Sequence, residues 1–179
     1  MFEDAGVRAT LRPYEIMATG PTAGVIEIKD RHNGNILLTA DGHLVHIDWG
    51  FALGLSPGGN FGFESAPFKL TQEFVDVMGG SNSIAFQRYR ELCVKAFLEA
   101  RKNRHKIITL VEMMASFCSE LPCFSGNPDA VARELEARFQ PDLSVSECVK
   151  FVNDLVDKSM GNWRTRWYDR YQRHFVGIL

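Results

Sequence analysis

The sequence is short of net charge, of paired cysteines and of long apolar runs, and each shortage removes a class of function. Its 20 basic and 22 acidic residues leave a formal charge of −2. That balance gives no global attraction to nucleic acid or to an anionic surface. Cys93, Cys118, Cys123 and Cys148 form no C-x-x-C pair, and no histidine stands near them at zinc spacing. They read as buried free thiols of a reducing compartment. The start, Met1-Phe2-Glu3-Asp4, has neither the basic n-region nor the apolar run of a signal peptide. No stretch approaches the roughly 20 apolar residues of a membrane span. The expectation is a cytoplasmic protein that meets membranes only peripherally. A phosphate-binding P-loop is missing too. No Lys-Ser or Lys-Thr follows the glycines of "GLSPGGNFG", and no strand leads into them. His43 and His46 alternate along one strand without a third ligand, so packed or solvated imidazoles are expected there, not a metal site.

What is present is an ordinary globular composition, 45% apolar and 23% charged over 179 residues, enough to bury a core. Tyr14 to Ala18 and Gly24 to Ile28 read as short strands separated by the turn cluster Thr19-Gly20-Pro21-Thr22. A hairpin follows, then a Gly/Ser/Pro/Phe-rich loop from Ala52 to Lys69. The remainder has helical periodicity. Thr71 is placed to cap one helix, with Leu70 and Val75 as a hydrophobic staple and Gly79-Gly80 as its stop. Phe86, Tyr89, Cys93 and Phe97 mark the inner face of a second. Ile107, Leu110, Val111, Met114 and Phe117 mark that of a third. Asn127-Pro128 opens a fourth, with Val131, Leu135 and Phe139 on one face. Ser144-Val145-Ser146-Glu147 is a capping box opening a fifth, through Val152, Leu155 and Val156. A sixth is expected from about Trp163 to Phe175. The fold class is therefore α+β, a small β portion followed by a helical bundle.

The stretch "IKDRHNGNILLTADGHLVHIDWGF", residues 28 to 51, carries the chemistry. Asp41-Gly42 between apolar runs signals a two-residue hairpin turn. With that turn, facing positions have numbers summing to 83, and Asn35 lies opposite Asp48. Facing Cα atoms in an antiparallel ladder lie about 4.5–5.5 Å apart. An amide oxygen and a carboxylate at that distance are hard ligands of the kind Mg²⁺ takes beside phosphate oxygens and water. Asp30 precedes Asn35 by five residues, the D-x-x-x-x-N spacing of a kinase catalytic loop.

"KDRHNGNILL" and "HIDWGF" resemble the catalytic and metal-binding loops of phosphatidylinositol kinases. "SPGGNFGFESAPFKLTQEFVDVMGG" and "LPCFSG" resemble the type III phosphatidylinositol 4-kinases, nearer the beta than the alpha branch. The resemblance runs from about Leu11 to the end of the chain. It implies the C-terminal lobe of a protein-kinase-like fold, with the N-terminal lobe absent. The division it suggests is 1–27 as a remnant of N-terminal-lobe and hinge strands, 28–70 as catalytic hairpin and activation loop, and 71–179 as helical lobe. It implies ATP and Mg²⁺ as cofactors and phosphorylation of phosphatidylinositol at the inositol 4-position. Asp30 and His32 would orient the inositol hydroxyl or take its proton, and Asn35 and Asp48 would hold the metal. Ile26 and Glu27, in the hinge-like Gly24-Val25-Ile26-Glu27, would present backbone groups to adenine. Trp49 stands where the family usually has Phe. The resemblance also implies peripheral association with Golgi or other endomembranes.

Between Asp48 and Lys69 the only charge is Glu64. A headgroup bearing extra phosphate monoesters would need several Arg or Lys partners. Lys69 alone suits phosphatidylinositol. Trp163, Trp167, Tyr171 and Phe175 recur every fourth residue, flanked by Arg164, Arg166, Arg170 and Arg173. That pattern fits a membrane interface or a helix docked on its own domain, and both readings stay open, as does the oligomeric state.

Two features depart from the family. No lysine precedes Lys29, so the lysine that pairs with nucleotide phosphates has no counterpart. Glu27 is followed almost at once by Asp30, where the family inserts several dozen helical residues. Three residues reach at most about 11 Å. The expectation is a partial lipid kinase with little or no activity as an isolated polypeptide. The alternative is a non-catalytic remnant serving as a membrane- or partner-binding helical module.

Overall fold

The computed structural model describes residues 21–39, 44–57 and 66–160. The expected strand at Tyr14 to Ala18, loop residues 58–65 with Glu64, and the expected helix at 163–175 lie outside the described residues.

The described elements run α1 (Pro21–Ile26), a 3₁₀ turn (Asn33–Asn35), β1 (Ile36–Leu38), β2 (Leu44–His46), α2 (Gln72–Val77), α3 (Ile84–Lys102), α4 (Arg104–Phe117), a second 3₁₀ turn (Pro122–Phe124), α5 (Pro128–Arg138) and α6 (Val145–Ser159). The architecture is mostly helical with one two-stranded antiparallel hairpin, as expected for a kinase C-terminal lobe.

Local chemistry sets the helix ends. Thr71 accepts a hydrogen bond from the Phe74 N–H, Ser83 from Phe86 and Asn127 from Ala130. At α6 the box is reciprocal. Ser144 Oγ accepts from the Glu147 N–H at 3.3 Å, and Glu147 Oε2 accepts from the Ser144 N–H at 2.8 Å. The Ser144 hydroxyl, donating to Glu147 Oε2 at 2.6 Å, and then the Ser144 N–H hold the Glu147 carboxyl below its ordinary pKa. Leu70 and Val75 are both buried, as the staple requires. The stop after α2 is a Schellman motif: Gly80 N–H donates to Val75 O at 2.9 Å and Gly79 N–H to Asp76 O at 2.8 Å. Both glycines take positive φ, +88° and +91°.

The core lies between α3 and α6, closed by α1 and α5. Phe86, Tyr89, Cys93 and Phe97 of α3 are fully buried, as are Leu135, Val152 and Val156. Phe97 packs on Phe151 with ring centroids 5.7 Å apart. Each large apolar side chain so placed contributes about 1.5–3 kcal/mol. Arg90 fastens the outer edge of α3 to α6 through Asn153 Oδ1, at 3.2 Å, and the Asp157 carboxylate.

Three expectations need correction. Gly24 to Ile28 is not a strand, because Pro21–Ile26 is helical. Pro suits a first helical position, and the short turn buries Val25 in the core. On α4 the inner face is Ile108, Val111 and Ala115, while Leu110, Met114 and Phe117 are exposed and Ile107 is half-buried. The helix is apolar around most of its circumference, so periodicity alone does not choose a side. The small residues Val111 and Ala115 permit close approach of α5, and that face turned inward. The hairpin register is the third. Ile36 pairs with His46, Leu37 with Val45 and Leu38 with Leu44, so facing numbers sum to 82. Asn35 is opposite Ile47, whose N–H donates to Asn35 O at 3.1 Å. A one-residue slip exchanges the faces of a strand. The observed register points Leu37 and Val45 outward together and keeps Ile36 buried.

Candidate functional site

The loop from Lys29 to Asn35 is held at both ends by main-chain bonds. Lys29 N–H donates to Phe51 O and Leu53 N–H to Ile26 O, both at 2.9 Å, so residues 26–29 run beside 51–53. Asp30 then takes φ +60° and Asp48 takes φ +56°. Aspartate is among the few non-glycine residues that tolerate the left-handed region. Its use twice here turns the chain sharply at both carboxylates.

His32 caps the 3₁₀ turn, its Nδ1 accepting from the Gly34 N–H at 3.1 Å. That bond leaves the proton of the neutral ring on Nε2, 3.9 Å from Asp30 Oδ2. Asn35 Nδ2 donates to Asp30 O at 2.9 Å and approaches Asp30 Oδ2 at 3.5 Å. With the amide nitrogen committed to Asp30, Asn35 Oδ1 is left with no partner among the described residues. Asp30, His32 and Asn35 thus form one cluster, and His32 and Asn35 are buried.

Asp48 joins this cluster through its backbone. The bridge is Arg31, to which the sequence reading assigned no role. Its side chain is buried, and Nε donates to Lys29 O at 2.9 Å. Nη1 donates to Asn35 O at 3.3 Å and Ile47 O at 2.8 Å, and Nη2 donates to Asp48 O. One guanidinium therefore satisfies four carbonyls on both arms of the hairpin, use of a planar fork that Lys does not reproduce. No sequence pattern marked Arg31, because a carbonyl array exists only after the arms meet. The Asp48 carboxylate faces solvent, with Oδ1 accepting from the Gly50 N–H at 3.3 Å. A methyl group on Gly50 would stand 3.3 Å from that oxygen.

Lys69 is also brought in. It is buried, and its Nζ donates to Asn33 Oδ1 at 2.8 Å. The segment carrying it is anchored to the end of α6, where Phe68 N–H donates to Ser159 Oγ at 3.4 Å and Leu70 bridges to Met160. His46, half-buried on β2, has both ring nitrogens out of solvent and unbonded among the described residues. Burial, then the positive charges of Arg31 and Lys69, push its pKa down.

The other two residues, Ile26 and Glu27, stand differently from a hinge strand. Ile26 ends α1 and its carbonyl accepts from Leu53. Glu27 N–H donates to Gly24 O at 3.3 Å, and its carboxylate pairs with Arg138 Nη2 at 2.7 Å. The Ile26 carbonyl and the Glu27 N–H are thus used within the chain.

Among the described residues no three His, Cys, Asp or Glu side chains gather as a metal cage. The donor chemistry nevertheless fits Mg²⁺, which works with one or two protein oxygens when phosphates and water supply the rest. Asn35 Oδ1 and the exposed Asp48 carboxylate are donors of that class.

An acid, a histidine and an amide on one tight loop, with a second acid on the adjoining hairpin arm and a helical bundle behind, define a kinase C-terminal lobe fragment. Residues 22–125 match the family model described as phosphatidylinositol 3- and 4-kinase, and the chain belongs to that family. It is 51% identical over 154 residues to a phosphatidylinositol 4-kinase of Dictyostelium discoideum, covering 86% of this chain and 13% of that one. It is 47% identical over 159 residues to phosphatidylinositol 4-kinase beta 1 of Arabidopsis thaliana, covering 87% and 14%. Against phosphatidylinositol 4-kinase beta of Rattus norvegicus the identity is 44% over 155 residues, covering 87% and 18%. The chain thus spans less than a fifth of these curated relatives. Among the described residues no helix is long and apolar enough to cross a membrane.

Proposed function

We propose that this chain carries the phosphate-handling half of an ATP-dependent phosphatidylinositol 4-kinase site. The observation that supports it most is the Arg31 bridge, which fixes the Asp30–His32–Asn35 cluster against the Asp48 arm. In this reading Asn35 Oδ1 and the Asp48 carboxylate would hold Mg²⁺, which would neutralise phosphate charge. Asp30 accepts the proton of the inositol hydroxyl as its oxygen bonds to the γ-phosphorus and the bond to the β-phosphate oxygen breaks. The His32 ring stands beside that carboxylate, its Nε2 3.9 Å from Asp30 Oδ2. Lys69, behind Asn33, places positive charge near a headgroup with one phosphodiester. Work at the cytoplasmic face of an endomembrane, Golgi included, with the aromatic and Arg-rich 163–175 segment at the lipid, belongs to the same proposal.

The placement of Ile26 and Glu27 favours a second reading for the adenine end: a helical module that keeps the family's loops without productive nucleotide binding. One experiment separates the two. Calorimetric titration of the 179-residue chain with ATP is run with and without Mg²⁺, and on Asp48→Ala and Asn35→Ala. The kinase reading expects metal-dependent binding that both substitutions weaken at least about tenfold. Absence of metal-dependent binding, or binding indifferent to both substitutions, rejects it in favour of the module.

A further inference from the structure

Along α4 the side chains of Leu110, Met113, Met114 and Phe117 follow i, i+3, i+4, i+7 spacing and so share one face. They are 60%, 51%, 47% and 80% exposed, and Leu121, 38% exposed, extends the stripe past the helix end. Among the described residues the main packing of α4 is on α3 and α5, through Ile108, Val111 and Ala115 on the other side. Single exposed apolar residues are common, but a contiguous stripe marks an interaction surface.

Charge selects what covers it. The first turn of α4 holds Arg104, His105 and Lys106 and no acid, and its N-cap Asn103 makes no side-chain capping bond. Glu112 and Glu120 lie toward and beyond the other end, both exposed and without an ion pair among the described residues. Bases at a helix N-terminus and acids near the C-terminus oppose the helix dipole. An identical helix laid antiparallel corrects both ends at once, since its acidic end meets this basic end.

We infer that this face of α4 pairs with the same face of a second copy of the chain about a two-fold axis between Met113 and Met114. Leu110 of each copy then faces Phe117 of the other, Met113 faces Met114, and the Lys106 end approaches Glu120 of the other copy. The contact is isologous, so it closes on itself as a dimer. The central methionines supply adaptable surface at the axis, where identical side chains must fit each other.

The test is sedimentation velocity and light scattering on the 179-residue chain over a concentration series. The expected result is a reversible monomer–dimer equilibrium. Met114→Glu sets like charges at the axis and weakens association roughly thirtyfold. Lys106→Glu also weakens it, and Lys106→Glu combined with Glu120→Lys restores it, which no other register would do. Should Met114→Glu alter the far-ultraviolet circular dichroism, the exposed 106/120 exchange still decides. A wild-type chain that stays monomeric throughout overturns the inference, including one that binds phosphatidylcholine vesicles through this face. So does a dimer indifferent to both Met114→Glu and Lys106→Glu.

Discussion

Arg31 and Asp48 are 17 residues apart and are joined by a guanidinium Nη2 that donates to the Asp48 carbonyl. Through Nη1 the same side chain holds the Asn35 and Ile47 carbonyls. One buried guanidinium therefore braces the Asp48 arm against the loop, beside the Ile47–Asn35 main-chain bond.

Arg31→Lys keeps the charge and loses the fork. The hairpin junction should weaken by about 1.5–3 kcal/mol, the range for bonds from a charged group. Hydrogen exchange reads this directly. Protection of the Ile47 amide, bonded to Asn35 O, should fall while amides in the middle of α3 are unchanged. Equal protection at Ile47 in both proteins would show that the bridge does not hold the arms.

Gly79→Ala and Gly80→Ala each place a Cβ in left-handed backbone, at a cost of about 1–2 kcal/mol. A methyl group on Gly79 would also meet Ser83 Cβ at 3.3 Å, whereas one on Gly80 meets nothing within 4 Å. Urea unfolding should give two lowered midpoints with unchanged slope, Gly79→Ala the lower. The reverse order would contradict the assigned crowding.

His46 makes stability fall on the acid side. Its folded pKa is depressed by burial and by Arg31 and Lys69. Above about pH 6.5 the ring is neutral folded or unfolded, and its contribution is whole. As pH drops through that value the unfolded chain takes up the proton first, so stability declines until the folded ring also titrates. His46→Gln should flatten the fall in denaturation midpoint between about pH 7.5 and 5.5. An unaltered slope would exclude His46 as its source.

Thiol reactivity should divide the four cysteines. Burial pushes Cys93 up to about 12, and Cys148 is likewise fully buried. Cys123 is raised by partial burial, and Cys118 sits half-exposed past the end of α4. A disulfide reagent at neutral pH should modify Cys118 first and Cys123 more slowly, with Cys93 and Cys148 reacting only in denaturant. Rapid native labelling of Cys93 would contradict the packing of α3.

Much of the helical lobe was legible because the signals are local. Thr71, Asn127 and Ser144 each cap an N–H within three residues, and the Gly79-Gly80 stop needs only its own turn. The α3 stripe was readable since its other faces are polar. The α4 stripe was not, because apolar residues nearly encircle that helix and its inner side was chosen by the fit of Val111 and Ala115 against α5. In the site, Asp30 and Asn35 were legible from a five-residue spacing and His32 only through the family resemblance, and the three do converge. The expected Asn35–Asp48 pairing rested on turn chemistry at Asp41-Gly42, and the register moved by one.

The sequence by itself determined the caps, the helix order and the identity of the loop that carries the acids, since those depend on neighbours a few residues away. Only the tertiary structure decided the hairpin register, the helical state of Pro21–Ile26, the outward face of α4 and the part played by Arg31. Each of those is an outcome of competition for burial and for carbonyl partners between segments distant in the chain, and no local pattern records who wins it.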